Sequence, residues 1–136
     1  MEKRGTMAKG YKELLNEARS EIQNLSAKDA IDLLQNGGAV FVDIRDIREL
    51  HREGLIPDSY HAPRGMLEFW IDPESPYHKN IFTSGKRLVF YCASGWRSAL
   101  ATKTVQDMGL KNVCHIDGGF SAWRNEGGQV EKKEKP

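Results

Sequence analysis

Three short apolar runs constrain this chain more than any other feature: Ala39-Val40-Phe41-Val42-Asp43-Ile44, Leu88-Val89-Phe90-Tyr91 and Val113-Cys114-His115-Ile116. Each has the length of a strand and is nearly continuous rather than alternating, and a strand apolar on both faces needs cover on both faces. Helical patterns lie between them. Ser26 with Asp29 resembles a capping box and opens a helix carrying Ala30, Ile31, Leu33 and Leu34, which Asn36-Gly37-Gly38 can end. After the second run, Ser98 to Met108 puts Ala101, Val105 and Met108 on one helical face, and Gly109 closes it. After the third, Gly118-Gly119 opens a short helix with Phe120, Ala122 and Trp123. This alternation predicts an α/β domain with a central parallel sheet flanked by helices on both faces.

With 136 residues the chain fits one compact domain. Residues 1–24 read as an N-terminal helical extension, because Tyr11, Leu14, Leu15, Ala18 and Ile22, with Leu25 beyond them, recur at helical spacing. Residues 25–130 form the domain, and residues 131–136, charged and without an apolar anchor, read as a disordered tail. The stretch 65–86 breaks the rhythm, with Phe69, Trp70, Tyr77 and Phe82 set among Pro73, Pro76 and Gly85. It reads as a long connection with one helical turn around Met66–Trp70 and a small aromatic core of Phe69, Trp70 and Phe82, able to wall a site. Twenty basic residues against nineteen acidic ones argue against a nucleic-acid binder. The longest strictly apolar run, Leu88 to Ala93, is too short to span a bilayer. The first residues lack the apolar core of a signal peptide and there are two cysteines, so the expected setting is the cytoplasm, without membrane contact.

Ligands of parallel sheets bind beyond the carboxyl ends of the strands. The residues at those ends are Asp43 to Arg45, Cys92 to Arg97, and Asp117 to Gly119. Cys92 stands where a buried strand ends, Arg97 where a helix begins, and short residues and a glycine lie between. Backbone N–H groups of such a loop can turn inward as an anion nest, the helix start adds unpaired donors, and the arginine adds a permanent charge. All three favour thiolate over thiol, and such surroundings lower cysteine pKa values from about 8.5 to roughly 3.5–7.5. From Lys79 to Gln106 there are five basic residues and no acidic one, a field that draws an anionic substrate. A lone cysteine in this position would read as an inert buried thiol. Strand, small-residue loop, arginine and helix together point to a nucleophile.

At these residues the chain resembles a known family. Cys92-Ala93-Ser94-Gly95-Trp96-Arg97-Ser98 is similar to the C-x-x-G-x-R-S loop of rhodanese-like domains. Asp43-Ile44-Arg45 with Glu49 resembles the family's D-x-R…E motif, and Gly118-Gly119-Phe120-Ser121-Ala122-Trp123 its G-G-x-x-A-W signature, with Gly127 at the usual following glycine. The resemblance runs from about Leu25 to Gln129. The family often carries G-H-I-P-G-A after the first strand; here Leu55 replaces the histidine and Asp58-Ser59 the G-A pair. The resemblance implies sulfurtransfer: Cys92 takes a sulfane sulfur from a small anionic donor such as thiosulfate, and a thiol, cyanide or protein acceptor removes it from the persulfide. It further implies that residues Ala93 to Ser98 bind substrate, with Arg97 orienting the donor and the Ser94 and Ser98 hydroxyls donating to sulfur. Asp43, Arg45 and Glu49 would stand behind them, fixing the strand-end region.

Two other readings remain. Cysteine-dependent phosphatases and arsenate reductases also set a cysteine loop before a helix, but with C-x5-R spacing. In this chain the sixth position after Cys92 is Ser98, and the arginine comes one residue earlier. That leaves a narrower bowl, better suited to a terminal sulfur than to a tetrahedral phosphate, and no aspartate in the loop offers itself as a leaving-group acid, although Asp117 beyond the third run could. The third reading is a non-enzymatic persulfide carrier or docking module. Cys114 could resolve an oxidised Cys92, although its place in an apolar strand favours packing. His51, His61, His78 and His115 are scattered without metal-ligand spacing, and His61 could line the pocket; no metal or cofactor is expected. Trp96, bulky for a loop, could cap the pocket or touch a partner.

Overall fold

The computed structural model describes residue 5 and residues 7–134. The elements run α1 (Tyr11–Glu21), β1 (Asn24–Leu25), α2 (Ala27–Asn36), β2 (Ala39–Asp43), α3 (Ile47–Glu53), β3 (Tyr60–His61), α4 (Leu67–Ile71), β4 (Arg87–Tyr91), α5 (Trp96–Asp107), β5 (Val113–Ile116) and α6 (Gly119–Asn125). Single 3-10 turns at Arg64–Met66 and Asn80–Thr83 flank α4 and precede β4. The five strands form one sheet in the order β1-β5-β4-β2-β3, and every neighbouring pair is parallel. The three central strands are the three apolar runs. The edge strands are two residues each, too short to leave a periodic signal.

Alternation along the strands divides the core in two. Val42, Ile44, Leu88, Phe90, Cys92 and Val113 pack on one face with Ala101 and Val105 of α5, Leu67 and Ile71 of α4, and Phe82. Phe41, Val89, Tyr91, Cys114 and Ile116 pack on the other with Ala27 and Ala30 of α2 and Phe120 and Trp123 of α6. Helix α1 lies outside this sandwich: its Leu15 and Ala18, with Ile22, pack against Ala99 and Leu100 of α5. Covering both faces buries apolar side chains of each strand on both sides, which is why the runs are continuous.

Several expectations need correction. Helix α5 starts two residues earlier than the pattern suggests, so Arg97 sits inside it, and Met108 falls past its end, 42% exposed. Ser26 caps α2 as expected, accepting from the Asp29 N–H at 3.1 Å, but the complete capping box is at α3, where Asp46 and Glu49 exchange side-chain bonds with each other's backbone. The helical turn in the long connection is present, while Phe69 points to solvent. Tyr60 takes its place in the aromatic cluster, packing edge-on against Trp70 and Phe82. Glu131, expected to open an unanchored tail, exchanges two backbone hydrogen bonds with Leu55 at 2.8 and 2.9 Å. The last two residues of that expected tail, and residues 1–4 and 6 of the N-terminal extension, lie outside the described residues. Among the described residues no helix is long and apolar enough to cross a membrane.

Candidate active site

The carboxyl ends of β2 and β4 lie side by side, with Asp43 opposite Tyr91, and the chain turns sharply at Cys92. What shapes the turn is α6. The Phe120 N–H donates to the Cys92 carbonyl at 2.8 Å and the Ser121 N–H to the Ala93 carbonyl at 3.0 Å. With its carbonyls held outward by α6, the loop turns N–H groups inward: those of Gly95 and Ser98 donate to Cys92 Sγ at 3.2 and 3.4 Å. This is an anion nest continued by the first turn of α5. Two glycines permit it. Gly95 takes a left-handed φ of 92° where the loop enters α5. Gly119, at φ 62°, lies so close that a Cβ would sit 2.6 Å from the Cys92 carbonyl oxygen. A Gly119→Ala variant is therefore expected to push the loop off α6 at a cost of about 1–3 kcal/mol. That is a Tm lowered by roughly 3–15 °C for a domain of this size, with impaired Cys92 reactivity; a thermal melt with an alkylation assay measures both.

Cys92 is 1% exposed. Its sulfur also lies 3.5 Å from Ser98 Oγ, which in turn is 2.9 Å from Nδ1 of buried His115. Nε2 of His115 is 2.7 Å from Asn24 Oδ1 on β1. Burial pushes the His115 pKa down to about 4, and Arg19 on α1 pushes the same way against the opposing pull of Asp117. Ser94, expected to face the sulfur, is exposed, so only the Ser98 hydroxyl reaches it. Cys114 lies on the opposite face of the sheet, buried, with its thiol pKa raised by desolvation; a resolving role for it fails on strand alternation.

Arg97 does not extend freely over the bowl. Its Nη1 and Nη2 donate to the Glu49 carboxylate at 2.9 and 3.0 Å, a bidentate pair joining α5 to α3. The Arg97 hydrogen bonds hold Glu49 below the usual carboxylate range, and those to Glu49, with the nearby Cys92, raise Arg97. A carboxyl depressed in the folded state stabilises the fold above its unfolded pKa of about 4.3 and loses that contribution as pH falls below it. The Tm difference between wild type and Glu49→Gln is thus expected to be full near neutrality and to vanish in acid, read from melts across a pH series.

Behind the loop, Asp43 and Arg45 are fully buried. Arg45 Nε and Nη2 donate to the Asp43 oxygens at 2.9 and 2.6 Å, and Nη2 also to the Gly54 carbonyl at 2.8 Å. The guanidinium lies 4.4 Å from the Phe120 ring centroid, so the pair braces the α6 residue that holds the Cys92 carbonyl. His61, on β3, is turned to the Arg45 carbonyl at 2.7 Å. Trp96, half exposed at the start of α5, packs its ring 5.2 Å from that of Tyr11 on α1. The His115 contact with Ser98 has no signal in the sequence; it follows from the register that sets Phe90 beside His115, one strand from the loop.

The three motif regions thus meet in one place, and comparison with known proteins decides what such a meeting is. The profile of the rhodanese-like domain matches residues 26–126. The chain belongs to the rhodanese-like domain family. This rhodanese-like domain is 29% identical over 106 residues to a putative sulfurtransferase of Bacillus subtilis, covering 78% of this chain and 91% of that protein. It is 29% identical over 114 residues to a sulfurtransferase of Allochromatium vinosum, covering 84% and 92%. It is also similar to a solved structure from Rhodopseudomonas palustris, that of a protein of unknown function described as a possible tyrosine phosphatase. The identity there is 56% and the TM-score 0.91, over 96% of this chain and 100% of that one.

Proposed function

We propose that this rhodanese-like domain transfers a sulfane sulfur from a small anionic donor, such as thiosulfate, to a thiol, cyanide or protein acceptor by way of a Cys92 persulfide. The observation that carries the reading is the pair of loop N–H groups aimed at a cysteine sulfur just beyond the carboxyl end of β4. In the first half-reaction the Cys92 thiolate attacks the outer sulfur of the donor. The Sγ–S bond forms, the donor's S–S bond breaks, and the electron pair leaves on the remnant, sulfite in the case of thiosulfate. In the second, the acceptor attacks the outer sulfur and Cys92 leaves as thiolate, which the same N–H groups stabilise. No metal or cofactor enters either step. The charge of the Arg97–Glu49 pair is internally balanced, Lys103 is paired with Asp107 and Glu21, and Lys86 and Arg87 stand at the amino end of β4, so donor attraction falls to the loop amides and the start of α5. The two free cysteines suit a reducing compartment such as the cytoplasm.

The description of the R. palustris protein favours a second reading, phosphatase chemistry on the same cysteine. Against it stands the spacing, with Arg97 five residues from Cys92 and already engaged by Glu49. One experiment separates the two: the intact mass of reduced protein after brief exposure to thiosulfate. Sulfur transfer expects a gain of one sulfur atom, reversed by cyanide. No gain with thiosulfate or polysulfide, together with hydrolysis of an aryl phosphate, would overturn the reading in favour of the phosphatase.

A further inference from the structure

Buried beside Cys92 is a hydrogen-bond chain whose polarity can be worked out from its far end. The Asn24 side-chain N–H groups donate to the Arg19 carbonyl at 2.9 Å and, more weakly, to the Ile22 carbonyl at 3.4 Å. Its oxygen is thereby left facing His115 Nε2 at 2.7 Å, and that nitrogen must be the donor. A neutral imidazole with its proton on Nε2 has a lone pair on Nδ1. Burial keeps His115 neutral near physiological pH. At 2.9 Å from that lone pair, the Ser98 hydroxyl must point its hydrogen at His115. The Ser98 oxygen therefore turns a lone pair, not a proton, toward Cys92 Sγ, and it is the thiol that donates across the 3.5 Å gap.

We infer that His115 is a positioning residue that withholds the Ser98 hydroxyl proton from the cysteine sulfur. It reverses the direction that the family resemblance implies for Ser98. The thiolate is left with its two backbone donors and without the hydroxyl as a third, a less solvated and more nucleophilic anion, since nucleophilicity falls as thiol acidity rises. On the sulfur-transfer reading this has a second effect. When the Sγ–S bond forms, the negative charge moves from Sγ to the outer sulfur in the bowl. A hydroxyl donor at Sγ would favour the unloaded thiolate, and its absence favours the persulfide. The charged and titratable groups around the chain are few. Arg97 on α5, paired with Glu49 on α3, faces Cys92, while Arg19 on α1 and Asp117 beyond β5 act on His115.

The test is the pH dependence of Cys92 alkylation by iodoacetamide, with Cys92→Ser as the blank; it needs no sulfur donor and so stands or falls apart from the sulfur-transfer reading. His115→Gln keeps a polar group near Nε2 for Asn24 and removes the acceptor at Nδ1, freeing the Ser98 hydroxyl to donate to sulfur. Its alkylation midpoint is expected at lower pH than wild type, with a lower limiting rate on the high-pH plateau. His115→Asn keeps an acceptor near Nδ1 and is expected to titrate like wild type. In a Ser98→Ala background the His115→Gln change is expected to have no effect. Thermal melts establish that each variant is folded. A midpoint moved to higher pH in His115→Gln, an unmoved one, or a shift that persists without the Ser98 hydroxyl would each overturn the inference. If either His115 variant fails to fold, Ser98→Ala alone decides: the thiol then loses its acceptor and the thiolate loses nothing. A midpoint that rises would overturn the inference, and one that falls supports it.

Discussion

Replacing Cys92 with serine is expected to abolish sulfur loading and to leave the fold standing. A serine hydroxyl accepts from the Gly95 and Ser98 N–H groups in the position the sulfur now holds, so the nest keeps its occupant and the melting temperature moves little. Reactivity does not survive. A hydroxyl ionises far less readily than a thiol, and two weak backbone donors do not close that gap near neutral pH. Turnover with thiosulfate and cyanide should fall by about a thousandfold or more, as when a covalent nucleophile is lost. The mass of the thiosulfate-treated variant should equal that of the untreated one. Loading that survived in the variant would move the acceptor sulfur elsewhere; Cys114, buried on the other face of the sheet, is the remaining thiol.

Asp43→Ala is expected to give the largest loss of stability from a residue outside the bowl. It leaves the Arg45 guanidinium buried, with the Gly54 carbonyl as its hydrogen-bond partner. Among the described residues Nη1 of Arg45 already has no partner. Breaking a fully buried ion pair by removing one member costs about 3–5 kcal/mol, much more than an exposed pair is worth. Urea unfolding measures it as a drop in midpoint at unchanged slope. The damage should also reach the sulfur, because Arg45 lies on the Phe120 ring and Phe120 holds the Cys92 carbonyl. The Asp43→Ala, Arg45→Met double variant, which removes both charges, should recover a good part of the stability. A double variant no better than Asp43→Ala would show that the charge pair is not the source of the loss.

The sheet was legible because Phe41, Val89 and Ile116 belong to runs that a parallel strand needs and a surface strand does not. The cysteine loop was legible for a similar reason: a cysteine, a glycine and an arginine at short spacing are local chemistry. What escaped was pairing between residues far apart in the chain. Glu49 and Arg97 are 48 residues apart. His115 and Asn24 are 91 apart. Sequence spacing carries no trace of which acid meets which base, so Arg97 read as a free cation and His115 as one more scattered histidine. The two-residue edge strands were invisible because period-2 alternation needs more residues than Asn24-Leu25 or Tyr60-His61 supply. Phe69 misled because aromatic composition marks a packed segment without saying which rings face inward; Tyr60, outside that segment, supplied the missing one.

The dependence of the cysteine loop on α6 has a consequence for the order in which the protein is made. Phe120 and Ser121 lie near the carboxyl end, almost thirty residues after the loop they hold. While the chain emerges from the ribosome, Cys92 is synthesised well before either, and nothing yet turns its loop inward. During that interval its loop lacks the two carbonyl anchors that α6 supplies. Docking of α6 is thus expected to complete the cysteine loop, and it is among the last contacts the domain can make as the chain is synthesised.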